Sequence, residues 1–224
     1  GIVLNVQNKV TMNNLKFNNI LGSPCINFDN WVVKDSVTIK NSLFTNIRDA
    51  RCIYMRTKTA TFKVYIQYCV FEHNSVYDDR EEDADLQCRG GSIYVTNKAD
   101  VHVKNCNFTD NSACIKGGAI YAETRSIDIS VCRFERCETN GYGGAIYLNQ
   151  TSTADFEFCS GNVFIECSAG YSGGAVFVFC RDVTTKSTRD SDQGQYTVQI
   201  SMSNFTKCTS DTEGGAVCSG EINY

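Results

Sequence analysis

One block of sequence recurs along this chain: a branched aliphatic pair, a phenylalanine, then Gly-Gly-Ala-Ile-Tyr. In one copy Val101, Val103 and Cys106 lead to Phe108, which stands nine residues before Gly117-Gly118-Ala119-Ile120-Tyr121. In the next, Ile127, Ile129 and Cys132 lead to Phe134, nine residues before Gly143-Gly144-Ala145-Ile146-Tyr147. A unit this small cannot bury its own apolar face, so it has to stack on its neighbours. That restricts the chain to a repeat architecture before any other property is considered.

The anchoring phenylalanines are Phe17, Phe44, Phe71, Phe108, Phe134, Phe164 and Phe205, separated by 27, 27, 37, 26, 30 and 41 residues. The short intervals define the unit, and the long ones are the same unit with an insertion, near 75–89 and at 181–195. Gly-Gly pairs begin at Gly90, Gly117, Gly143, Gly173 and Gly214. The first two units carry Cys25-Ile26 and Cys52-Ile53-Tyr54 in their place. Before each phenylalanine an alternating pair occurs: Val10/Met12, Val37/Ile39, Val64/Ile66, Val101/Val103, Ile127/Ile129, Phe156/Phe158 and Val198/Ile200. Alternation with period two is a strand with one face inward. The inward phase then slips by one and resumes at pairs such as Cys69/Phe71 and Ser42/Phe44. Such a slip exchanges the faces, so the chain must turn a corner there.

Three short strands and three corners per unit describe one coil of a parallel β-helix. The predicted fold is therefore all-β, a right-handed parallel β-helix of about seven coils with three short strands per coil. No segment holds a 3.6-residue apolar period, and the apolar residues are β-branched or aromatic, which excludes helices. Asparagines at the corners (Asn13, Asn14, Asn41, Asn105, Asn111, Asn140) can bond backbone groups that a corner leaves unpaired.

The 224 residues suffice for one sizeable core and read as a single domain from 1 to 224. A net charge of −4 argues against nucleic acid as a partner. No apolar run is long enough to insert in a membrane. The chain begins at Gly1 and stops just after a Gly-Gly-Ala strand, which reads as an excerpt of a longer protein.

The 13 cysteines fall partly in columns. Cys69, Cys106 and Cys132 lie two residues before their phenylalanines; Cys137, Cys167 and Cys208 lie three after theirs. Stacked positions are about 4.8 Å apart with parallel Cβ vectors, whereas a disulfide wants Cβ atoms near about 3.8 Å. The first column therefore reads as small buried apolar residues. Corner cysteines, on looser backbone, remain open to pairing. A Cys-x-x-Cys spacing for zinc is missing, so no metal and no cofactor is expected.

Gly-Gly-Ala-Ile with a Phe-x-x-Asn partner resembles the repeats of the polymorphic outer membrane proteins of chlamydiae. Phe71-Glu72-His73-Asn74 and Phe108-Thr109-Asp110-Asn111 match the second element. The later units depart from it with Phe134-x-x-Cys137, Phe164-x-x-Cys167 and Phe205-x-x-Cys208. That cysteine variant is similar to the expanded repeat families of protists. The resemblance covers nearly the whole chain. It implies a right-handed β-helix at the cell surface or outside the cell, adhesin-like and non-catalytic, with a protein or glycan partner on a host or neighbouring cell.

Other β-helix proteins are polysaccharide lyases or hydrolases, which need clustered carboxylates on one outward face. The outward residues here, such as Lys63, Gln67, Lys104 and Asp128, are single, and His73 and His102 have no Ser or Cys at a suggestive spacing. An enzyme whose active face lies outside this excerpt stays as the alternative, and a passive spacer as a third reading. In the acidic insertion Asp79, Glu82, Asp83 and Asp85 could hold a hard cation, but the spaced Asp/Gly pattern of calcium loops is missing and a solvated loop fits better. The second insertion mixes both signs of charge, and loops on a rigid scaffold are where recognition lives. Glycosylation sequons occur at Asn107, Asn149 and Asn204. Asn149 reads as the best acceptor because it falls in a corner.

Overall fold

The computed structural model describes residues 2–3, 9–29, 36–56, 63–77, 88–150, 156–179 and 198–220. The regular structure among them is β-strand throughout, and all strand pairing is parallel. Each coil lies in register on the one before. Phe17 pairs with Phe44, then the register runs through Phe71, Phe108, Phe134 and Phe164 to Phe205. Seven coils therefore carry one phenylalanine each, as the repeat predicts.

Three sheets form the walls. A seven-stranded sheet holds the phenylalanine strands, and a five-stranded sheet holds two-residue strands such as Ser112–Ala113. The third sheet has 13 strands and contains both remaining kinds of strand. The Gly-Gly-Ala-Ile-Tyr strand and the aliphatic strand after it thus share one wall. In Ile93–Lys104 and Ile120–Ser130 they run through as single strands. Elsewhere the two strands are separate, as with Phe156–Ser160 after Ile146–Gln150.

The sixth coil departs from the alternation read in the sequence. Of its Phe156/Phe158 pair only Phe156 keeps its place, in register with Val198, and Cys159 takes the place expected of Phe158. Cys159 pairs with Ile129 on one side and Ile200 on the other, and a bulge separates Glu157 from Cys159. The inward residue before each corner stands five positions ahead of its phenylalanine, as Ile129 does before Phe134. Cys159 keeps that interval to Phe164 and Phe158 does not.

Phe44, Phe71, Phe108, Phe134 and Phe164 are fully buried, and their rings stack with centroids 4.7–4.9 Å apart. Phe17 and Phe205, in the end coils, are half-buried. Branched aliphatic columns pack beside them: Val37, Val64, Val101 and Ile127, then Ile39, Ile66, Val103 and Ile129.

Each coil turns at three left-handed residues at fixed places. Three before the phenylalanine stand Asn14, Asn41, Tyr68, Asn105, Val131, Gly161 and Met202, all at positive φ. Two after it stand Asn19, Asn46, His73, Asp110, Arg136, Glu166 and Lys207. The third corner takes glycine in six coils and Asp49 in the second. Among L-residues Asn and Asp tolerate this conformation best, which accounts for the asparagines at the first corner.

The two polar columns beside these corners are hydrogen-bond ladders. Asn74 Nδ2 donates to the Phe44 carbonyl and Asn111 Nδ2 to the Phe71 carbonyl, at 3.1 and 2.9 Å. Their Oδ1 atoms accept from the Ile47 and Asn74 amides at 3.0 and 3.2 Å. In the next coils Cys137 and Cys167 take the same place and direct their thiols at the Phe108 and Phe134 carbonyls. Asparagine and cysteine are interchangeable here because each presents a donor to the same carbonyl. The other column corrects the reading of its cysteines as plain apolar filler. Cys69 Sγ donates to Gln67 O and Cys106 Sγ to Lys104 O, both at 3.3 Å, and Cys106 Sγ accepts from the Cys69 amide. Ser42, Asn162 and Ser203 fill the same column and accept the equivalent amides of Leu15, Cys132 and Asn162.

Outside the 13-stranded wall a second apolar cluster forms. Tyr94, Tyr121, Tyr147 and Phe177 alternate with inward residues such as Ile93 and Val95, yet are exposed by no more than 5%. Tyr54, Tyr94, Tyr121 and Tyr147 stack in turn. Cations from the third corner lie on their rings: Arg51 at 4.8 Å from Tyr94, Arg89 at 5.1 Å from Tyr121 and Lys116 at 5.2 Å from Tyr147. Contacts of this kind are worth about 0.5–2 kcal/mol each. Of the corner cysteines, Cys88 and Cys114 in the third and fourth coils form a disulfide, with Cα atoms 5.0 Å apart. Cys137, Cys167 and Cys208 are not joined in disulfides.

Two outcomes follow for stability. Asn111→Ala strands the Phe71 carbonyl and the Asn74 amide in the core and should cost about 1–3 kcal/mol. Asn111→Cys should cost less, and urea unfolding of both variants measures the difference. Gly144 sits with its missing side chain against the carbonyls of Gly174 and Ser168 in the coil above. Gly215, the same position in the last coil, meets only the Cys208 carbonyl at 3.6 Å. Gly144→Ala should therefore lower the melting temperature much more than Gly215→Ala; equal losses would place the next coil farther away than described.

Candidate binding face

The outward positions of the aliphatic strands gather polar residues from successive coils into one patch. Register pairs Lys40 with Gln67 and Gln67 with Lys104; in the adjacent row it pairs Tyr65 with His102 and His102 with Asp128. The Tyr65 and His102 rings stack at 5.0 Å. Asp128 Oδ2 accepts from Lys104 Nζ at 2.8 Å and lies 3.4 Å from His102 Nδ1. The imidazole is thereby held between a phenol ring and a carboxylate, with 28% of its side chain exposed. Lys63, exposed, and Lys40, half-buried, flank the patch. The outward residues are therefore not single, as the sequence spacing suggested. Asp128 follows His102 by 26 residues, one coil of chain, so the neighbour lies a whole repeat away.

A second group lines the corner after the phenylalanine. His73, Asp110, Arg136, Glu166 and Lys207 succeed one another along it, with acidic and basic residues alternating. His73 Nδ1 is 3.5 Å from Asp110 Oδ2, and Lys207 Nζ is 3.1 Å from Glu166 Oε1. Arg136 binds Asp110 through two nitrogens, at 2.7 and 3.0 Å, and also reaches Glu135, which Arg133 bonds at 2.7 Å. The hydrogen bonds from Arg136 hold the Asp110 carboxyl below the ordinary aspartate range. Those from Arg133 and then Arg136 do the same for Glu135. These charges neutralise one another and leave little for a partner.

Two chemistries can be tested against the described residues. No group of three His, Cys, Asp or Glu side chains among them is arranged to hold a metal ion. The Cys25 and Cys69 thiols are poor nucleophiles: burial pushes Cys25 up to about 12, and the hydrogen bond with Cys106 together with burial raises Cys69. The acidic candidates Asp79, Glu82, Asp83 and Asp85 lie outside the described residues, as does the 181–195 insertion. Register still fixes where extra chain enters. Val76 pairs with Ala113 and Arg89 bridges to Lys116, so one insertion falls between Val76 and Arg89. The other falls between Phe179 and Val198.

Asn107 and Asn204 are exposed on the phenylalanine sheet, in strands Asn107–Thr109 and Asn204–Thr206. Asn149 is not in a corner. It is half-buried inside the strand Ile146–Gln150 and pairs with Glu123 and Phe179, which removes the reason for preferring it as an acceptor.

A family model described as a right handed beta helix region matches residues 1–212. No curated protein and no solved structure matches the chain.

The pairing at Asp110 sets a pH dependence. A carboxyl whose folded value is depressed adds stability that is complete above its unfolded value and is lost as pH falls through the folded one. Arg136→Gln should therefore lower the urea midpoint clearly at pH 7 and progressively less as pH falls through the depressed Asp110 value, where protonation weakens the wild-type bond. A gap of constant size across that range would show that Arg136 acts by packing.

Proposed function

The chain belongs to the right-handed beta helix family, and on that footing we propose that it is a non-catalytic, adhesin-like binding protein displayed at the cell surface or secreted. We place it with the polymorphic outer membrane protein type, whose repeats its own resemble, in a cysteine-rich form. Its partner is a protein or glycan carrying anionic groups on a host or neighbouring cell. The observation that carries this reading is the patch around Tyr65. It offers an aromatic ring, an imidazole and the amide of Gln67, with Lys40 and Lys63 beside them. Elsewhere along the prism, charged residues such as Arg136 and Asp110 are paired with each other. The Cys88–Cys114 disulfide supports an oxidising, extracellular setting.

Binding of the full chain to immobilised heparin and to polygalacturonate, with intact host-type cells alongside, tests this reading. Lys40→Glu with Lys63→Glu should weaken capture on at least one of these surfaces by tenfold or more. Asn107→Gln should leave it unchanged. Equal binding by the charge-reversed variant would defeat the proposal. The His102–Asp128 contact favours one competing reading, a general base held by a carboxylate. Saturable cleavage of either glycan, abolished by Asp128→Asn, would replace the binding protein with an enzyme.

A further inference from the structure

The first corner of the coil carries an unexplained cost. Val131 sits there at φ 54°, Tyr68 at 55° and Met202 at 45°. A β-branched residue at such an angle is a genuine outlier, and a left-handed L-residue costs about 1–2 kcal/mol. Nothing in the core repays it, because these side chains point outward. Val131 is 62% exposed, Tyr68 58% and Met202 85%. The same corner in the second, fourth and sixth coils holds Asn41, Asn105 and Gly161, which suit the conformation. Apolar knobs thus occupy the third, fifth and seventh coils, and low positions lie between them. At about 4.8 Å per coil the knobs stand about 10 Å apart along one edge.

We propose that this edge is a homodimer interface, in which a second copy of the chain packs antiparallel, corner to corner, about a twofold axis perpendicular to the prism. Knobs on odd coils and gaps on even coils make the edge complementary to its own reverse. One twofold, placed between the fourth and fifth coils, sets every knob on a gap at once. Tyr68 meets Gly161 of the partner subunit, Val131 meets Asn105 of the partner subunit, and Met202 meets Asn41 of the partner subunit. The symmetry then repeats each contact. Glycine at 161 leaves open space for the tyrosine ring, since the nearest atom to a Cβ built there is Val131 Cγ2 at 3.9 Å. The flanking rows agree with this placement. The half-buried Val70 falls opposite Val163 of the partner subunit. Lys104 falls opposite Ser130 of the partner subunit, and no two like charges of these rows are brought together. An isologous contact of this kind closes on itself and makes dimers, not fibres. Its area is one edge of the prism, which places it with weak, concentration-dependent interfaces.

Sedimentation of the full chain across a concentration series tests the proposal, with thermal unfolding at low concentration as the second readout. Wild type should show a monomer–dimer equilibrium. The triple variant Tyr68→Asn, Val131→Asn, Met202→Asn should raise the dissociation constant at least tenfold. Its monomer should unfold at the same temperature as wild type or higher, because asparagine relieves the strained corner. Leu21→Asn removes an equally exposed apolar side chain at a different corner and should leave dimerisation unchanged. Three results would overturn the inference: a wild type that stays monomeric at every concentration, a triple variant that dimerises as well as wild type, or a loss of association with Leu21→Asn equal to that of the triple variant.

Discussion

Everything in this molecule depends on one register: outside the shifts at Asn97 and Glu157, each coil's backbone bonds to the next so that a residue meets its own equivalent about 4.8 Å away. Whatever a position does once it must do seven times. A phenylalanine becomes a ladder of rings, a left-handed residue becomes a strained edge, and a carbonyl that needs a donor becomes a column that needs donors. The glycine pairs follow from the same demand. Gly118, Gly144 and Gly174 each lie against the backbone of the coil above, where a side chain would break the spacing.

Much of this was legible because repetition writes the register into the spacing. The phenylalanine column, the inward pairs of six coils and the corner asparagines could be read straight from the intervals. The misreadings occur where one residue type stands in for another. Cys159 was hidden behind two phenylalanines that satisfied the alternation but not the five-residue interval to Phe164. Asn162, polar in a column of Cys and Ser, gave no apolar signal, although it makes the same bonds. The single wall shared by two strands was not legible either. Buried residues keep one alternating phase from Ile93 to Val103, whereas in Ile120–Ser130 the phase changes between Thr124 and Ile127, at the register shift between Asn97 and Asp100.

The outer face was the least legible. Contacts there join residues one coil apart, at separations such as 26 for His102 and Asp128 or 32 for Arg89 and Tyr121. A search for short motifs passes over such intervals. Read with the repeat length as the unit, they are nearest neighbours. The tyrosines of the Gly-Gly-Ala-Ile-Tyr strands illustrate this. Alternation turns them outward, which predicts exposure, yet neighbouring rings and the overlying Arg89 and Lys116 bury them.

The disulfide between Cys88 and Cys114 gives the prism a mechanical asymmetry. A chain of stacked coils pulled from its ends yields by unwinding, each coil releasing its length once its hydrogen bonds to the neighbour fail. The segment between the two cysteines, 26 residues apart in sequence, cannot join that extension while the bond is intact. Roughly 90 Å of contour is withheld, at about 3.4 Å per residue. Under load the coils on either side would open before the stapled pair. Reduction of one bond would therefore let the prism lengthen further under load without altering its outward faces.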